Sequence, residues 1–367
     1  MSTEMGFQPN WFVPPGATIS ALLEERDISI ESLAEIANKT LGDVSRLIYG
    51  VEPLTTEWAQ ALTECLGASQ GFWLRREQQY RSDLERLCEE ATSAGNAEWL
   101  SLIPLREAVS YGWIPEGRNA YETRLNACAF FGTTSDQGFE RQYETLFDGA
   151  RYKTSNAFKS NDSSLATWLR HGEVVARSIS TAGWNPELLR SSQAEIRALT
   201  MIGNPVEFIP RLKAVLATCG VAFVVSRAPK GCRASGVARF LTPDSALIQL
   251  SSRYLADDQF WFTLFHEIGH LVLHAPSGVF IEDEERLDAK LEDEADDFAI
   301  GALLEEVGVS SLRTVELTKY SIARLARRAG IAPGIVVGEL QRSKRVPYNH
   351  FNYLKTRYRW NDSELTL

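Results

Sequence analysis

Apolar side chains recur at helical spacing along the first part of the chain. "ATISALLEERD" places Ile19, Leu22 and Leu23 on one face. "SIESLAEIAN" follows, with Ser29 as its N-cap. After a break at Asn38 and Lys39, "TLGDVSRLIYG" offers Val44, Leu47 and Ile48 to a core, and "TTEWAQALTECLG" predicts a fourth helix. Two short helices meeting at a tight turn, with others behind, is helix-turn-helix organisation. From residue 86 to 200 the spacing stays mostly helical, in "WLSLIPLREAVSYGWIP" and "LATWLRHGEVVARSIS", with "FKSNDSS" predicted as a polar loop. His171 stands alone there and reads as a hydrogen-bonding residue at a packing interface.

Beyond residue 205 the pattern changes. "FIPRLKAVLATCG" predicts a helix ending at Gly220. "VAFVVS", "ASGVARF" and "ALIQLSS" then read as three short strands. A strongly apolar helix, an acidic stretch and further helices complete the chain. Helix, small antiparallel sheet, then helices is an α+β arrangement. The expected division is an all-α domain over 1–88, a helical connecting region over 89–200 and an α+β domain over 201–367.

Charge and cysteine usage narrow the setting. A formal net charge of -10 repels phosphate backbones, so contact with nucleic acid requires a local basic patch. Five scattered cysteines without a CxxC pair argue against a disulfide framework or a cysteine metal site, and fit a reducing cytoplasm. No signal peptide or membrane span is expected, and cytoplasmic localisation follows.

The densest chemistry lies in "FTLFHEIGHLVLH". His266 and His270 are four apart, so on a helix they lie about 40° apart on one face and can share a metal ion. Glu267 stands beside that ion, where a general base for water belongs. His274 falls too early for a third-histidine pattern and reads as a packing or supporting residue behind the ligands. A catalytic metal then needs another ligand, and "KLEDEADDFAIGALL" offers it. Its apolar stripe leaves Glu292 and Asp296 along one edge and Glu294 on the other. Glu292 as ligand, with Asp296 accepting the N–H of a ligand histidine, makes the natural pair. Glu294 is the alternative ligand. Asp283, Glu284 and Glu285 read as a solvated face.

"FWFTLFHEIGHLVLH" with "EDEADDFAIGALL" resembles the ImmA/IrrE family of gluzincin-like zinc metallopeptidases. "IAPGIVVGELQRSKRVPYNHFNYLKTRYRW" is similar to the C-terminal segment of its helix-turn-helix-fused members. The resemblance implies zinc held by His266, His270 and Glu292, with Glu267 as the catalytic carboxylate. The family often has asparagine where this chain has Asp296.

The N-terminal segment, from "SIESLAEIANKTLGDVSRLIYG" to "PLTTEWAQALTECLGASQGFW", resembles the helix-turn-helix domain of HigA-type antitoxins and Xre-like repressors. It departs from them in carrying Asn38 where glycine is usual. Thr40, Ser45 and Arg46 are the side chains it would offer to DNA. Acidic residues outnumber basic ones through residue 85, which points equally to docking a protein or a second copy of the chain. The resemblances together imply a metallo-endopeptidase that cleaves a specific partner, such as a repressor or antitoxin, in stress, prophage or toxin–antitoxin control. The alternative is a DNA-binding regulator whose zinc domain senses a partner without turnover.

Overall fold

The structure, a computed structural model, describes residues 11–144, 156–274, 280–281 and 289–367. The chain forms two compact units, Met1–Ser178 with Pro229–Gly231 and Ile179–Ala228 with Cys232–Leu367. The region expected to connect two domains, 89–200, is thus shared between them.

The first unit begins with α1 (Pro15–Glu25), α2 (Ile30–Ala37), α3 (Leu41–Ile48), α4 (Thr56–Leu66) and α5 (Gln70–Ser93). Hydroxyl N-caps start four of them. Ser29, Thr40, Thr55 and Ser69 each accept an N–H of the first turn. The amphipathic faces close over one core that includes Ile19, Leu33, Val44, Leu47, Trp58, Leu62 and Trp73. Asn38 ends α2 in the left-handed region, at φ 50° and ψ 48°. Asparagine tolerates this conformation better than most residues, so it serves the turn where glycine was the usual choice.

Further helices complete this unit, including Ala120–Phe131 and Asn156–Ala176. The stretch "FKSNDSS" lies inside the latter and is not a loop. Two of its serines are used in packing: Ser163 and Ser164 are buried, and Ser164 Oγ donates to the Lys230 carbonyl at 2.9 Å. Composition signalled a loop, but packing of the neighbouring Leu165, Trp168 and Leu169 prevailed. His171 stacks on Trp113, with ring centroids 4.1 Å apart and planes 8° apart.

The second unit is α+β. Helix Pro205–Thr218 leads into a four-stranded sheet of β1 (Val221–Val225), β2 (Gly236–Thr242), β3 (Ser245–Leu250) and β4 (Phe280–Ile281), in the order β1-β3-β2-β4. The sheet is mixed, not antiparallel throughout. The tight Thr242–Ser245 turn makes β2 and β3 antiparallel, but the long connection after β1 lets it lie parallel to β3. That order puts "ALIQLSS" in the interior. β3 pairs with β1 from Val221↔Ala246 to Val225↔Leu250 and with β2 on its other side.

Against the sheet lies the histidine helix, Asp257–Leu273. It is apolar nearly all round because it is covered on several sides. Phe260, Trp261, Leu264, Phe265 and Ile268 join Phe208, Phe223, Ile248 and Val336 in one core. Three further helices pack into the same core: Ala289–Leu303, Lys319–Ala329 and Pro333–Arg342. A final hairpin of β5 (Arg359–Asn361) and β6 (Glu364–Thr366) ends the chain. No helix is long and apolar enough to cross a membrane among the described residues.

Candidate metal centre

The histidine helix and the acidic helix Ala289–Leu303 approach closely at Gly269. A methyl group there would lie 3.1 Å from Phe298 Cδ1 and 3.3 Å from Ala295 Cα. Glycine opposite alanine is what lets the two backbones come together. The approach carries Glu292 to the imidazoles. Its Oε2 is 3.2 Å from His266 Nε2 and its Oε1 is 2.9 Å from His270 Nε2. The two Nε2 atoms are 3.0 Å apart. One ligand atom from each of the three residues fits within 4.8 Å of the others, a group able to hold a metal ion.

The far sides of the rings fix their tautomers. His266 Nδ1 donates to Asp296 Oδ1 at 2.9 Å. His274 Nε2 donates to Glu294 Oε2 at 3.0 Å, which leaves its Nδ1 as an acceptor. His270 Nδ1, 3.1 Å away, therefore donates to His274. Both inner Nε2 atoms are then lone pairs. They face each other and the Glu292 carboxylate, so three acceptors converge with no proton among them. Such an arrangement repels itself unless a cation lies between. Burial drives His270 below its usual pKa and so opposes relief by protonation.

Sequence geometry thus placed Glu292 and Asp296 on the side that reaches His266, and the structure brings both there. Glu294 goes to His274 rather than to the His266–His270 pair. Glu267 is fully buried on the same helix, against the start of β2. A methyl group on Gly236 would collide with its carboxylate and lie 2.7 Å from Thr263 Cγ2. Asp283, Glu284 and Glu285 lie outside the described residues.

One participant escaped the sequence reading. Arg342, at the end of helix Pro333–Arg342, donates from Nη1 to Asp296 Oδ2 at 2.7 Å. Its Nη2 donates to Glu339 at 3.2 Å, and its guanidinium lies 4.3 Å from the Phe262 ring centroid. A ladder therefore runs from Glu339 through Arg342 and Asp296 to His266. The one hint in the sequence was the spacing of Glu339 and Arg342, three residues apart, which is too common to single out.

Residues 225–338 match a family model, Peptidase_M78, described as the IrrE N-terminal-like domain. The likeness is to a metallopeptidase-type domain, and it spans both histidines, Glu267, Glu292 and Asp296. Comparison with curated proteins finds none that matches the chain.

The predicted DNA contacts sit differently. Thr40 caps α3 in a reciprocal box with Asp43. Ser45 is 1% exposed, and its hydroxyl donates to the Val174 carbonyl. Arg46 is engaged by Asp43 and, at 3.4 Å, by Glu52. Ser45 is therefore removed from any DNA surface by burial, a correction to the sequence reading.

Proposed function

We propose that the second unit is a zinc-dependent endopeptidase directed at a specific partner protein. The reading rests on one observation: three acceptors, His266 Nε2, His270 Nε2 and a Glu292 carboxylate oxygen, face one another while their outer sides are held by other groups. Two imidazoles and one carboxylate are the donor set of a catalytic zinc with a position left for water. Zinc, when bound, supplies a Lewis acid that acidifies water and polarises a carbonyl.

The chain's own side chains do the remaining work. His266, His270 and Glu292 hold the ion. Asp296 and His274 keep the two imidazoles in the Nε2-ligating tautomer. Glu267 accepts the proton of the attacking water on its carboxylate and returns it to the leaving amine nitrogen. A substrate backbone that extends the sheet joins an outer edge, since β3 has partners on both sides.

The first unit, in this reading, is a helix-turn-helix module resembling those of HigA-type and Xre-like proteins. Its support is the short α2–α3 connection with left-handed Asn38 and the boxed start of α3. With Ser45 buried and Arg46 engaged by two carboxylates, docking of a protein partner suits this module better than reading of DNA bases. A repressor or antitoxin fits that role.

Glu267→Gln separates catalysis from binding. The variant is expected to retain zinc with an unchanged affinity while discrete fragments of a co-incubated partner disappear from mass spectra. Candidate partners are taken from neighbouring genes. Full biological activity in the Gln variant would instead favour a regulator that binds its partner without turnover.

A further inference from the structure

Helix Lys319–Ala329 has two unlike faces. Ser321, Ile322, Leu325, Ala326 and Ala329 are buried. The opposite side carries Lys319, Tyr320, Arg324, Arg327 and Arg328, all exposed. At about 100° per residue these five side chains spread over about 180° of the surface, with Tyr320 near the centre. Arg313 is exposed just before the helix. Among the described residues none of these cations has an ion pair, whereas many other arginines of the chain do. The neighbouring acid, Glu316, accepts from Ser321 Oγ at 3.1 Å.

Folding accounts for only part of this charge. Arg327 and Arg328 occupy the last turn, where the helix dipole favours cations. Lys319 opens the helix, where the dipole opposes it, and Arg324 lies mid-helix. Unpaired like charges on one face repel one another and cost stability. In a chain of net charge -10 they are not there for solubility. Tyr320 is 84% exposed, a high value for an aromatic ring in the middle of a charged face.

We infer that this face binds single-stranded nucleic acid. Lys319, Arg324, Arg327 and Arg328 take successive phosphates, and the Tyr320 ring stacks on an unpaired base. Cations around an exposed aromatic ring are the elements of such a surface. A membrane would ask for bulky aliphatic side chains on this face, and it has none. An acidic peptide would use the cations but leave the ring without a role. The next helix, Pro333–Arg342, cannot enter a groove itself, because Ile335, Val336, Val337 and Leu340 are buried. None of these residues belongs to the His266–His270–Glu292 group, so the face assigns a second partner to the same unit.

Fluorescence anisotropy with a labelled single-stranded 20-mer, on the full chain, tests this. Four phosphate contacts predict a slope of log affinity on log salt of about −3, at about −0.7 per contact. Arg324→Glu/Arg327→Glu/Arg328→Glu is expected to weaken binding at least tenfold and flatten the slope. The corresponding triple lysine variant should retain most of it. Tyr320→Ala should weaken single-strand binding severalfold and duplex binding hardly at all. All these side chains are exposed, and unchanged circular dichroism checks the fold. Absence of binding at low salt, or wild-type affinity in the triple glutamate variant, would overturn the inference. So would displacement by polyglutamate together with indifference to Tyr320→Ala, which marks a surface for acidic protein.

Discussion

Gly236 leaves Glu267 its space: the first residue of β2 lies so close to the buried carboxylate that a single methyl group would strike it. Strand and helix together hold this side chain. Gly236→Ala is therefore expected to displace Glu267 while sparing His266, His270 and Glu292. Peptidase kcat/KM should fall by about two orders of magnitude, as small misplacements at a reacting centre do. Zinc content, measured by atomic absorption, should stay at the wild-type level. A variant with full activity would remove Glu267 from the proposed chemistry.

Asp296 holds His266 and is itself held by Arg342. Asp296→Ala is expected to weaken zinc about 10- to 100-fold in competition with a chromogenic chelator, as loss of such partners typically does. Arg342→Ala should weaken it less, since Asp296 keeps its contact with the ring. Equal zinc affinity in all three proteins would show that the ladder does not act on the ligand.

Asp257 is 2% exposed at the start of the histidine helix, and its Oδ1 accepts the Asp258 N–H at 2.8 Å. Burial, and secondarily the charge of Asp258, push its carboxyl up to about 6. The folded state thus binds this proton more tightly than the unfolded chain does. Its contribution is fully present below about pH 4 and is lost as pH rises through about 6. Asp257→Asn should raise Tm at pH 8, by an amount equivalent to about 1–3 kcal/mol. The advantage should shrink to nothing near pH 4. A gain that stayed constant across the range would rule out ionisation as its source.

Gly269 faces Ala295 and Phe298 at distances that leave little room for a side chain. Gly269→Val is expected to force the two helices apart, at about 1–3 kcal/mol in urea unfolding. Because Glu292 rides on the second helix, zinc affinity should fall with stability. Loss of stability alone would mean that the helices recover their spacing at the metal end.

Much of the candidate site was legible because it obeys helical spacing. His266 and His270 share a face by their interval, and the apolar stripe around Ala295 and Ala299 put Glu292 and Asp296 on one edge. The part that was not legible depends on pairings between distant segments. Nothing local ties Arg342 to Asp296, and nothing in "ASGVARF" marks Gly236 as the neighbour of Glu267. The strands were recognisable from their composition, but their order was not: the same three runs suit an antiparallel meander, and only the path of the connection after β1 puts β3 inside. "FKSNDSS" misled because serines resemble loop chemistry, whereas Ser163 and Ser164 are buried along a helix and Ser164 Oγ donates to the Lys230 carbonyl. Ser45 misled in the same way, as a polar residue on an expected surface that turned inward to the Val174 carbonyl.

The ladder through Arg342 has a practical side. The stretch similar to the peptidase family stops at residue 338, four positions before the guanidinium that braces Asp296. An excised fragment trimmed to that stretch would keep every motif residue yet leave Asp296 without its brace, and should hold a metal ion less firmly than the full chain. The working minimum of the candidate metal centre extends into the tail beyond its recognisable signature.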